Sequence, residues 1–406
     1  MAEQKRIIVV GGGPVGMVTA LACAQRGFAV TVLEAAQTVD TNPRAATTHP
    51  STLEMIDSLG VIDEFIAAGL VARYFDFWDR EKRELIARFD HDLLREDTKF
   101  PFVVQTEQHK LVNIIAAKLK TMSDVDVHFG VPVVDVEQDA NGVTVTIDRD
   151  GVEEKLSGTF LVGADGGRST VRKKLEIEFE GYTWPEQFLV LTTSFDFEKA
   201  LGSSYRAYLA DPKEWGNLFK VAGDDMKGRW RAVFPAPVDV PEEFVMSDEE
   251  AQRRLNRIFP LEDGATYPLL HKNIYRVHQR VAASFRRQRI FLAGDSSHVN
   301  NPIGGLGLNC GIHDALELAN TLAEAADGNA ERPVLDRYER RRRSLNIEFV
   351  QQQTVANKKR LEETDPAVRA QHLADLAATA ADPARHRAFL LRTSLIDSVR
   401  KSQAIQ

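Results

Sequence analysis

Three glycines near the start of the chain have the spacing of a phosphate-binding turn. Gly11, Gly13 and Gly16 make a G-x-G-x-x-G motif that follows the apolar run 7–10 and precedes a helical stretch. Such glycines allow a tight turn and let the N–H groups of a helix start approach a pyrophosphate. Glu34 ends the next strand-like run, where a carboxylate can accept hydrogen bonds from ribose hydroxyls. The pattern predicts a dinucleotide-binding unit and does not by itself separate FAD from NAD.

The composition is that of a globular protein. The chain has 406 residues and a net charge of −8, which gives no general attraction to nucleic acid or to an anionic membrane. No apolar stretch reaches the about 18 residues that span a bilayer, and no signal-peptide pattern precedes the first strand, so a cytoplasmic location is predicted. Two cysteines allow no disulfide framework, and no metal site is expected. The basic run 340–343 is interpreted as an exposed helix end, and a homodimer is compatible with the sequence.

A change in the pattern of elements along the chain indicates two lobes. Strands and helices alternate first, with a hairpin predicted at Asn141-Gly142, whereas residues 186–235 carry short runs typical of antiparallel sheet. We therefore predict an α/β fold: a Rossmann-type dinucleotide-binding domain with an inserted, mainly antiparallel β substrate domain and C-terminal helices. The expected segments are 1–72, 102–182 and 269–335 for the dinucleotide-binding domain, 73–101 and 183–268 for the substrate domain, and 336–406 for the C-terminal helices.

Three further motifs follow the glycine turn in order. The first is Pro43-Arg44-Ala45, the second is GADGGRS at 163–169, and the third joins GDSSH at 294–298 to PIGGLGLN at 302–309. Together they resemble the motifs of the FAD-dependent aromatic hydroxylases, the single-component flavoprotein monooxygenases typified by para-hydroxybenzoate hydroxylase. The resemblance runs from residue 6 to about residue 340 and implies that the dinucleotide is FAD.

The third motif would hold the flavin end of the cofactor. Asp295 is placed to accept hydrogen bonds from the ribityl chain, and the loop 304–307 lets backbone N–H groups approach the isoalloxazine ring. Asn309 is expected to start a helix whose positive end faces the pyrimidine side of the ring. Arg44 resembles the family arginine at the pyrophosphate or ribose, and Gln105 the glutamine beside the ribityl chain. The residues expected to bind FAD are Gly11, Gly13, Pro14, Val15, Gly16, Glu34, Arg44, Gln105, Asp165, Gly294, Asp295, Gly305, Gly307, Leu308 and Asn309.

Three polar members of this set have a structural alternative. Asp295 and Gln105 are residue types that also cap helices, and Asp165 with Gly166 is typical of a turn.

The resemblance implies hydroxylation of a phenolic or heteroaromatic ring. In this family NADH or NADPH reduces FAD, O2 adds to the flavin, and a C4a-hydroperoxyflavin transfers one oxygen to the substrate. No second G-x-G-x-x-G motif occurs in the sequence, so NAD(P)H is expected to bind transiently in a cleft. A flavin-dependent reductase or dehydrogenase on the same scaffold, without oxygen insertion, is the alternative.

Substrate contacts are expected near the flavin and on the β-rich lobe. His49 is a candidate base or hydrogen-bond donor, or else it caps the helix that follows. Pro302 resembles the proline whose carbonyl lies near the reacting group. Ala46 stands where yeast-type phenol hydroxylases carry an acid, so their proton relay does not transfer directly. Arg229 resembles the arginine near the substrate carboxylate, with a solvated strand residue as the alternative. The substrate-binding candidates are Thr47, Tyr205, Trp215, Arg229 and Arg231.

Overall fold

A computed structural model describes residues 5–42, 44, 46–326 and 332–406. In chain order the described strands are β1 (Arg6–Val10), β2 (Ala29–Glu34), β3 (Thr47–Thr48), β4 (Leu70–Ala72), β5 (Tyr74–Asp79), β6 (Glu84–Asp90), β7 (Val103–Gln105), β8 (Val125–Phe129), β9 (Val133–Gln138), β10 (Val143–Arg149), β11 (Val152–Gly158), β12 (Phe160–Gly163), β13 (Phe179–Thr193), β14 (Arg206–Ala210), β15 (Gly216–Val221), β16 (Arg229–Pro237), β17 (Leu269–Ala282), β18 (Arg286–Arg287), β19 (Ile290–Leu292) and β20 (His298–Val299).

The α-helices of the described part of the chain are concentrated at the C-terminus. They are α1 (Pro14–Ala24), α2 (Pro50–Ser58), α3 (Ile62–Ala67), α4 (Gln108–Leu119), α5 (Thr170–Lys174), α6 (Phe197–Leu201), α7 (Glu242–Val245), α8 (Asp248–Ile258), α9 (Leu306–Ala326), α10 (Arg332–Leu345), α11 (Gln352–Glu362), α12 (Pro366–Ala381), α13 (Pro383–Thr393) and α14 (Ile396–Ala404). A π-helical stretch, Asn346–Gln351, joins α10 to α11. Within the described residues, no helix combines the length and apolarity needed to cross a bilayer.

The first lobe is built on a six-stranded sheet in the order β18–β19–β12–β1–β2–β8. Its neighbouring strands are parallel, apart from the β18–β19 pair. Val9 of β1 faces Gly16 of α1, whereas Ile8 faces Gly158 of β11, so β1 is covered on both sides and both side chains are fully buried. Burial on both faces explains the continuous apolar run that opens the chain. The predicted α/β fold class is confirmed.

The hairpin predicted at Asn141-Gly142 is the β9–β10 pair, and β11 extends it to a three-stranded antiparallel sheet. This sheet contributes β11 to the cover of β1.

The second lobe is an eight-stranded sheet in the order β20–β17–β13–β16–β15–β14–β5–β6. All neighbours are antiparallel except β14 and β5. Because β17 pairs with β13 along most of its length, the sheet extends past the boundary expected at residue 268. The position of β17 in the sheet is decided by this long-range ladder.

The C-terminal helices cover the outer strands of the eight-stranded sheet. Phe389 of α13 stacks on Phe89 of β6, with ring centroids 4.5 Å apart. Arg369 of α12 pairs with buried Asp79 of β5 at 2.8 Å. These contacts make the last helices part of the second lobe's packing.

The basic run 340–343 is not an exposed helix end, which corrects the interpretation of the sequence. Arg342 is buried and pairs with buried Asp314 at 2.7 Å, and Arg341 pairs with Glu317 at 2.7 Å. Both carboxylates lie on α9. The run therefore ties the C-terminal helices to the first lobe.

Candidate active site

A cleft of about 1380 Å³ lies between the six-stranded and eight-stranded sheets. One wall consists of the turns that follow β1, β2, β12 and β19, where the parallel strands end at one edge. Open α/β sheets bind ligands at this edge, outside the carboxyl ends of the strands. The other wall is one face of the eight-stranded sheet. Its central row, formed by residues directly opposite each other on adjacent strands, is Tyr208, Asn217, Val233, Val190 and Asn273.

The glycine turn after β1 needs its glycines for two different reasons. A Cβ on Gly11, whose φ is +110°, would lie 2.3 Å from the Ala164 carbonyl oxygen, and one on Gly16 would lie 1.9 Å from the Gly11 oxygen. A Cβ on Gly13 would meet nothing within 4 Å, because this residue faces the open cleft. Gly11 and Gly16 therefore permit the packing of the turn, whereas Gly13 leaves room for a ligand.

The start of α1 points its free N–H groups toward this room. Pro14 occupies the first helical turn, where its missing N–H costs no hydrogen bond. Val15 packs on the turn after β19, since a Cβ on Gly294 would lie 2.9 Å from Val15 Cγ2. Pro14 and Val15 both line the cleft. The helix start fits a pyrophosphate because the backbone N–H groups and the helix dipole both favour an anion.

Glu34 lies beside the glycine turn at the end of β2. Its Oε2 accepts a hydrogen bond from Gly12 N at 2.5 Å, and its Oε1 accepts one from Ala36 N at 2.8 Å. Glu34 also lines the cleft. It is therefore held in place and keeps acceptor capacity for hydroxyl groups in the cleft.

Two charged residues of the predicted cofactor set face the cleft. Arg44 is exposed and pairs with Asp40 at 3.1 Å; its neighbours Pro43 and Ala45 lie outside the described residues. Asp295 follows β19 and opens onto the cleft. The low-dielectric walls around it raise the pKa of its carboxyl, opposed by the charges of His298 and Arg44. Asp295 lines the cleft, and no hydrogen bond from a described residue occupies its carboxylate oxygens.

Asp165 combines a position on the cleft wall with a structural role. Its two oxygens accept hydrogen bonds from Ser169 Oγ at 2.6 Å and from Val171 N at 3.1 Å, and so hold the start of α5. Burial raises the pKa of Asp165, and these hydrogen bonds oppose the rise. Gly166 has a φ of +76°, which the turn requires. The turn role expected as the alternative is therefore present.

The loop before α9 brings backbone groups to the far end of the cleft. Gly305 has a φ of +67° and donates its N–H to the Pro302 carbonyl at 3.0 Å. Gly307 and Leu308 line the cleft in the first turn of α9. The helix begins at Leu306, three residues before the start expected at Asn309, because the loop glycines already allow the turn into the helix. Its N-terminal N–H groups face the cleft.

Asn309 is buried behind this wall and holds it together. Its Oδ1 accepts a hydrogen bond from His49 N at 2.8 Å, and its Nδ2 donates to the carbonyls of Thr47 at 2.8 Å and Gly305 at 2.6 Å. All of its amide groups are therefore used inside the protein. The Asn309 side chain thus joins the β3 segment to the loop by hydrogen bonds. The sequence motif instead predicts that this residue contacts the cofactor directly.

Gln105 is buried and does not line the cleft, whereas its neighbour Thr47 does. Thr47 lines the cleft and donates its hydroxyl to Gln105 Oε1 at 2.7 Å. The amide of fully buried Gln105 lies 3.4 Å from the Tyr205 carbonyl of the second lobe. Gln105 thus links the two lobes through Thr47.

Arg231 reaches the cleft from β16. It is buried, donates from Nη1 to the Arg44 carbonyl at 3.3 Å, and has no partner for Nε. Burial lowers the pKa of Arg231, and the charge of Glu107 opposes this effect.

The other three substrate candidates of the second lobe do not line the cleft. Trp215 precedes β15 and packs in the core, edge to face with Phe188 at 5.2 Å. Tyr205 precedes β14, and its ring carries the Lys220 ammonium at 4.9 Å. Arg229 shares the face of Arg231, but it lies one pleat nearer the strand end and pairs with Asp225 at 2.8 Å. Aromatic and cationic side chains such as these suit a substrate pocket, but in the fold these three lie outside the cleft.

Arg206 is a cleft residue that the sequence interpretation missed. It is the first residue of β14, directly after Tyr205. Arg206 and Tyr208 both line the cleft, because alternate residues of a strand point to the same face of the sheet. The signal was the alternation of the run 206–210, in which the first and third residues are polar or aromatic and the second and fourth are small or apolar.

A small second cavity of about 20 Å³ adjoins the cleft behind the loop 304–306. Arg206, Tyr208, Gly304 and Leu306 line both spaces. The remaining lining residues are His49, Phe75, Phe77, His91, Ile303, Gln353, Asn357, Leu361, Phe389 and Thr393. We call this space the aromatic cavity.

His49 enters the aromatic cavity as a neutral imidazole. Burial, and next the charge of Arg206, hold the pKa of His49 well below its usual value of 6.5. Its Nε2 donates to the Gly304 carbonyl at 2.9 Å, so the tautomer carries its hydrogen on Nε2. Nδ1 is therefore a bare acceptor, and it is buried without a partner. The side chain does not cap α2, although the residue stands at the start of that helix.

The comparisons with known proteins agree with this architecture. The FAD binding domain family matches residues 4–353. The chain is 36% identical over 390 residues to the para-nitrophenol 4-monooxygenase of Pseudomonas sp. (strain WBC-3), covering 95% of this chain and 94% of that protein. It is 34% identical over 369 residues to the 6-hydroxy-3-succinoylpyridine 3-monooxygenase of Pseudomonas putida (strain DSM 28022 / S16), covering 90% and 91%. The crystal structure of the p-nitrophenol 4-monooxygenase from Pseudomonas putida DLL-E4 matches with a TM-score of 0.89 at 33% identity, covering 96% of this chain and 98% of that chain.

Proposed function

Because the chain belongs to the family of FAD-dependent aromatic hydroxylases, we propose that it uses O2 and NADH or NADPH to hydroxylate a small phenolic or heteroaromatic ring. Two relatives that match over nearly their whole length are named for a nitrophenol and a hydroxypyridine derivative. The compounds in these names support the proposal that the substrate of this chain is a compact aromatic ring with an ionisable hydroxyl. The residue roles and the use of a nicotinamide donor are part of this proposal.

The observation that carries the proposal is one cleft that runs from the glycine turn to the aromatic cavity. FAD, when bound, supplies the electron chemistry of the hydroxylation. The start of α1 would hold its pyrophosphate, Glu34 its ribose and Asp295 its ribityl chain. The first turn of α9 would face its ring, where the positive end of the helix favours negative charge. The aromatic cavity opens at that same end.

His49 is proposed as the acceptor of the substrate's hydroxyl proton. A bare, buried Nδ1 beside the ring end of the cleft can take a proton from a phenol, because the Nε2 hydrogen is already committed to the Gly304 carbonyl. Burial, and next the charge of Arg206, lower the pKa of His49 and so disfavour a positive charge on the resting imidazole. His49 therefore stays neutral near pH 7 and available as a base.

The proposal is tested by screening the FAD-loaded protein with phenols and hydroxypyridines. A true substrate should raise NAD(P)H consumption and yield a ring that has gained a hydroxyl, whereas the substrate-free protein should oxidise NAD(P)H slowly and release hydrogen peroxide. A compound that is oxidised or reduced without consumption of O2 would favour the reductase or dehydrogenase alternative.

The proposed role of His49 as a base is tested by comparing phenols of different acidity. His49→Ala should slow turnover of weakly acidic phenols at least tenfold. It should affect much less the strongly acidic phenols, which arrive already ionised. An equal loss for both groups would assign His49 a structural role.

A further inference from the structure

Arg206 is a buried cation without a counter-charge. The residue is 6% exposed, and among the described residues no carboxylate lies within 4.0 Å of its guanidinium. Its Nη2 lies 3.4 Å from the Tyr208 hydroxyl, and its Nη1 is buried with no hydrogen-bond partner. An unpartnered donor on a buried charge is costly unless a ligand completes it.

Other buried arginines of the chain have carboxylate partners that compensate for the burial of their charge. Arg80, Arg254 and Arg342 pair with carboxylates at 3.2, 2.7 and 2.7 Å. Arg231, the other buried arginine that lines the cleft, donates to a carbonyl and lies close enough to Glu107 for the carboxylate charge to affect its pKa. Among the described residues, Arg206 has neither a carboxylate nor a carbonyl partner for its guanidinium.

The position of Arg206 is the junction between the cleft and the aromatic cavity, since it lines both. Its guanidinium lies over the Phe75 ring, 5.1 Å from the centroid. The adjacent strands place Phe219 and then Arg231 opposite it, which separates the two arginines by about 10 Å. Arg206 therefore serves the cavity end of the cleft and not the end that holds Arg44.

Arg206 is also the one formally charged side chain among the described residues that line the aromatic cavity. His49 is neutral, and the same holds for His91. Burial, followed by the charge of Arg206, lowers the pKa of His91 to about 3. Phe75 and Tyr208 of the sheet, with Leu361 and Phe389 of the C-terminal helices, supply apolar walls. The cavity of about 20 Å³ has space for a single small group, not for a ring.

We propose that Arg206 is the specificity-determining residue that binds the substrate's ring oxygen as a phenolate, with that oxygen seated in the aromatic cavity and the ring at its mouth. The hydroxyl O–H bond breaks as the proton passes to His49 Nδ1, and the negative charge left on oxygen is held by Arg206. The inference rests on the proposed function and adds the ionisation state of the substrate. It also gives the C-terminal helices a role, because α11 and α13 close the cavity.

The test measures binding to the FAD-loaded protein, separately from turnover. The probes are 4-nitrophenol, its methyl ether 4-nitroanisole and 4-nitrobenzoate, titrated at a pH where 4-nitrophenol is ionised. Wild type should bind 4-nitrophenolate roughly 10- to 100-fold more tightly than the ether. Arg206→Met should abolish this preference and leave affinity for the ether nearly unchanged, and Arg206→Lys should retain part of it.

Arg229→Met is the matched control, because Arg229 lies on the same sheet but pairs with Asp225 outside the cleft. It should keep the preference of wild type. The visible absorption of bound 4-nitrophenol gives a second readout: the phenolate form should persist to lower pH in wild type than in solution, and Arg206→Met should reverse this shift.

Three results would overturn the inference while the hydroxylase function stands. They are an unchanged preference in folded Arg206→Met, an equal loss in Arg229→Met, and an Arg206-dependent affinity for 4-nitrobenzoate without one for 4-nitrophenolate. A protein that hydroxylates none of the phenols or hydroxypyridines would instead refute the proposed function.

Discussion

Replacing Asp314 with asparagine should lower the free energy of unfolding by about 3–5 kcal/mol. Asp314 is fully buried on α9. Its Oδ1 accepts a hydrogen bond from Arg342 Nε at 2.7 Å, and its Oδ2 accepts from His298 Nε2 at 2.7 Å and from Gly294 N at 3.1 Å. Asparagine keeps the shape but removes the charge and one acceptor, so two buried cationic groups lose their partner. The expected magnitude is that of breaking a buried ion pair by removing one member.

The pH dependence of this loss follows from His298. Burial lowers the pKa of His298, but neighbouring Cys310 and Asp314 outweigh burial and raise it from 6.5 to about 10. A raised folded-state pKa stabilises the fold fully below the unfolded value, and the stabilisation is lost as pH rises through the folded value. The difference between wild type and Asp314→Asn should therefore shrink as pH rises from 6.5 to about 10. The part due to Arg342 should remain.

Urea unfolding followed by far-ultraviolet circular dichroism measures this free energy. Asp375→Asn is the control, because Asp375 pairs with Arg385 at the same distance of 2.7 Å on the exposed surface. It should cost less than about 1 kcal/mol. If Asp314→Asn costs no more than this control, or if its cost grows toward pH 10, the reasoning about the buried network is wrong.

Substitutions at four further residues test the assignments of individual residues. Gly16→Ala should prevent retention of FAD, because its Cβ would lie 1.9 Å from the Gly11 oxygen, whereas Gly13→Ala should keep the unfolding free energy and lower only FAD affinity. Asp295→Ala should weaken FAD binding in a titration of the apo-protein by roughly 10- to 100-fold, as expected for loss of a charge-assisted acceptor. Trp215→Ala should lower the unfolding free energy by about 3–5 kcal/mol as a core truncation, and Trp215→Phe should leave substrate affinity unchanged within about twofold.

The parts of the molecule that depend on local backbone requirements could be predicted from the sequence. The turn at Gly11 and Gly16 and the strands on either side of it are examples, since a G-x-G-x-x-G spacing between apolar runs permits few other structures. The order of motifs along the chain indicated the family in the same way. These features need only the residues of one short segment.

The substrate wall could not be predicted, because it depends on how strands pair. Alternation places Arg229 and Arg231 on one face of β16, but only the ladder with β15 and β13 decides which of them lies over the cleft. The pairing of β14 with β15 brings Arg206 to the cleft. Trp215, which precedes β15, lies in the core. Residue type alone does not show which members of this group line the cleft.

Long-range partners account for the remaining differences. The basic run 340–343 contains no sign that Asp314 lies opposite Arg342, since the two are 28 residues apart in the chain. Asn309 similarly uses its amide on residues 260 positions away, which no periodicity reveals. Buried polar contacts of this kind are specified by the packed fold.

The most direct test of the hydroxylase account is turnover under labelled oxygen. The FAD-loaded protein is supplied with NADH or NADPH, ¹⁸O2 and a phenol that stimulates its oxidation, and the product is analysed by mass spectrometry. The account predicts one labelled oxygen atom in each molecule of hydroxylated product, with none when the label is in water. A substrate that turns over but gains its oxygen from water, or gains none, would contradict the account and favour the reductase or dehydrogenase alternative.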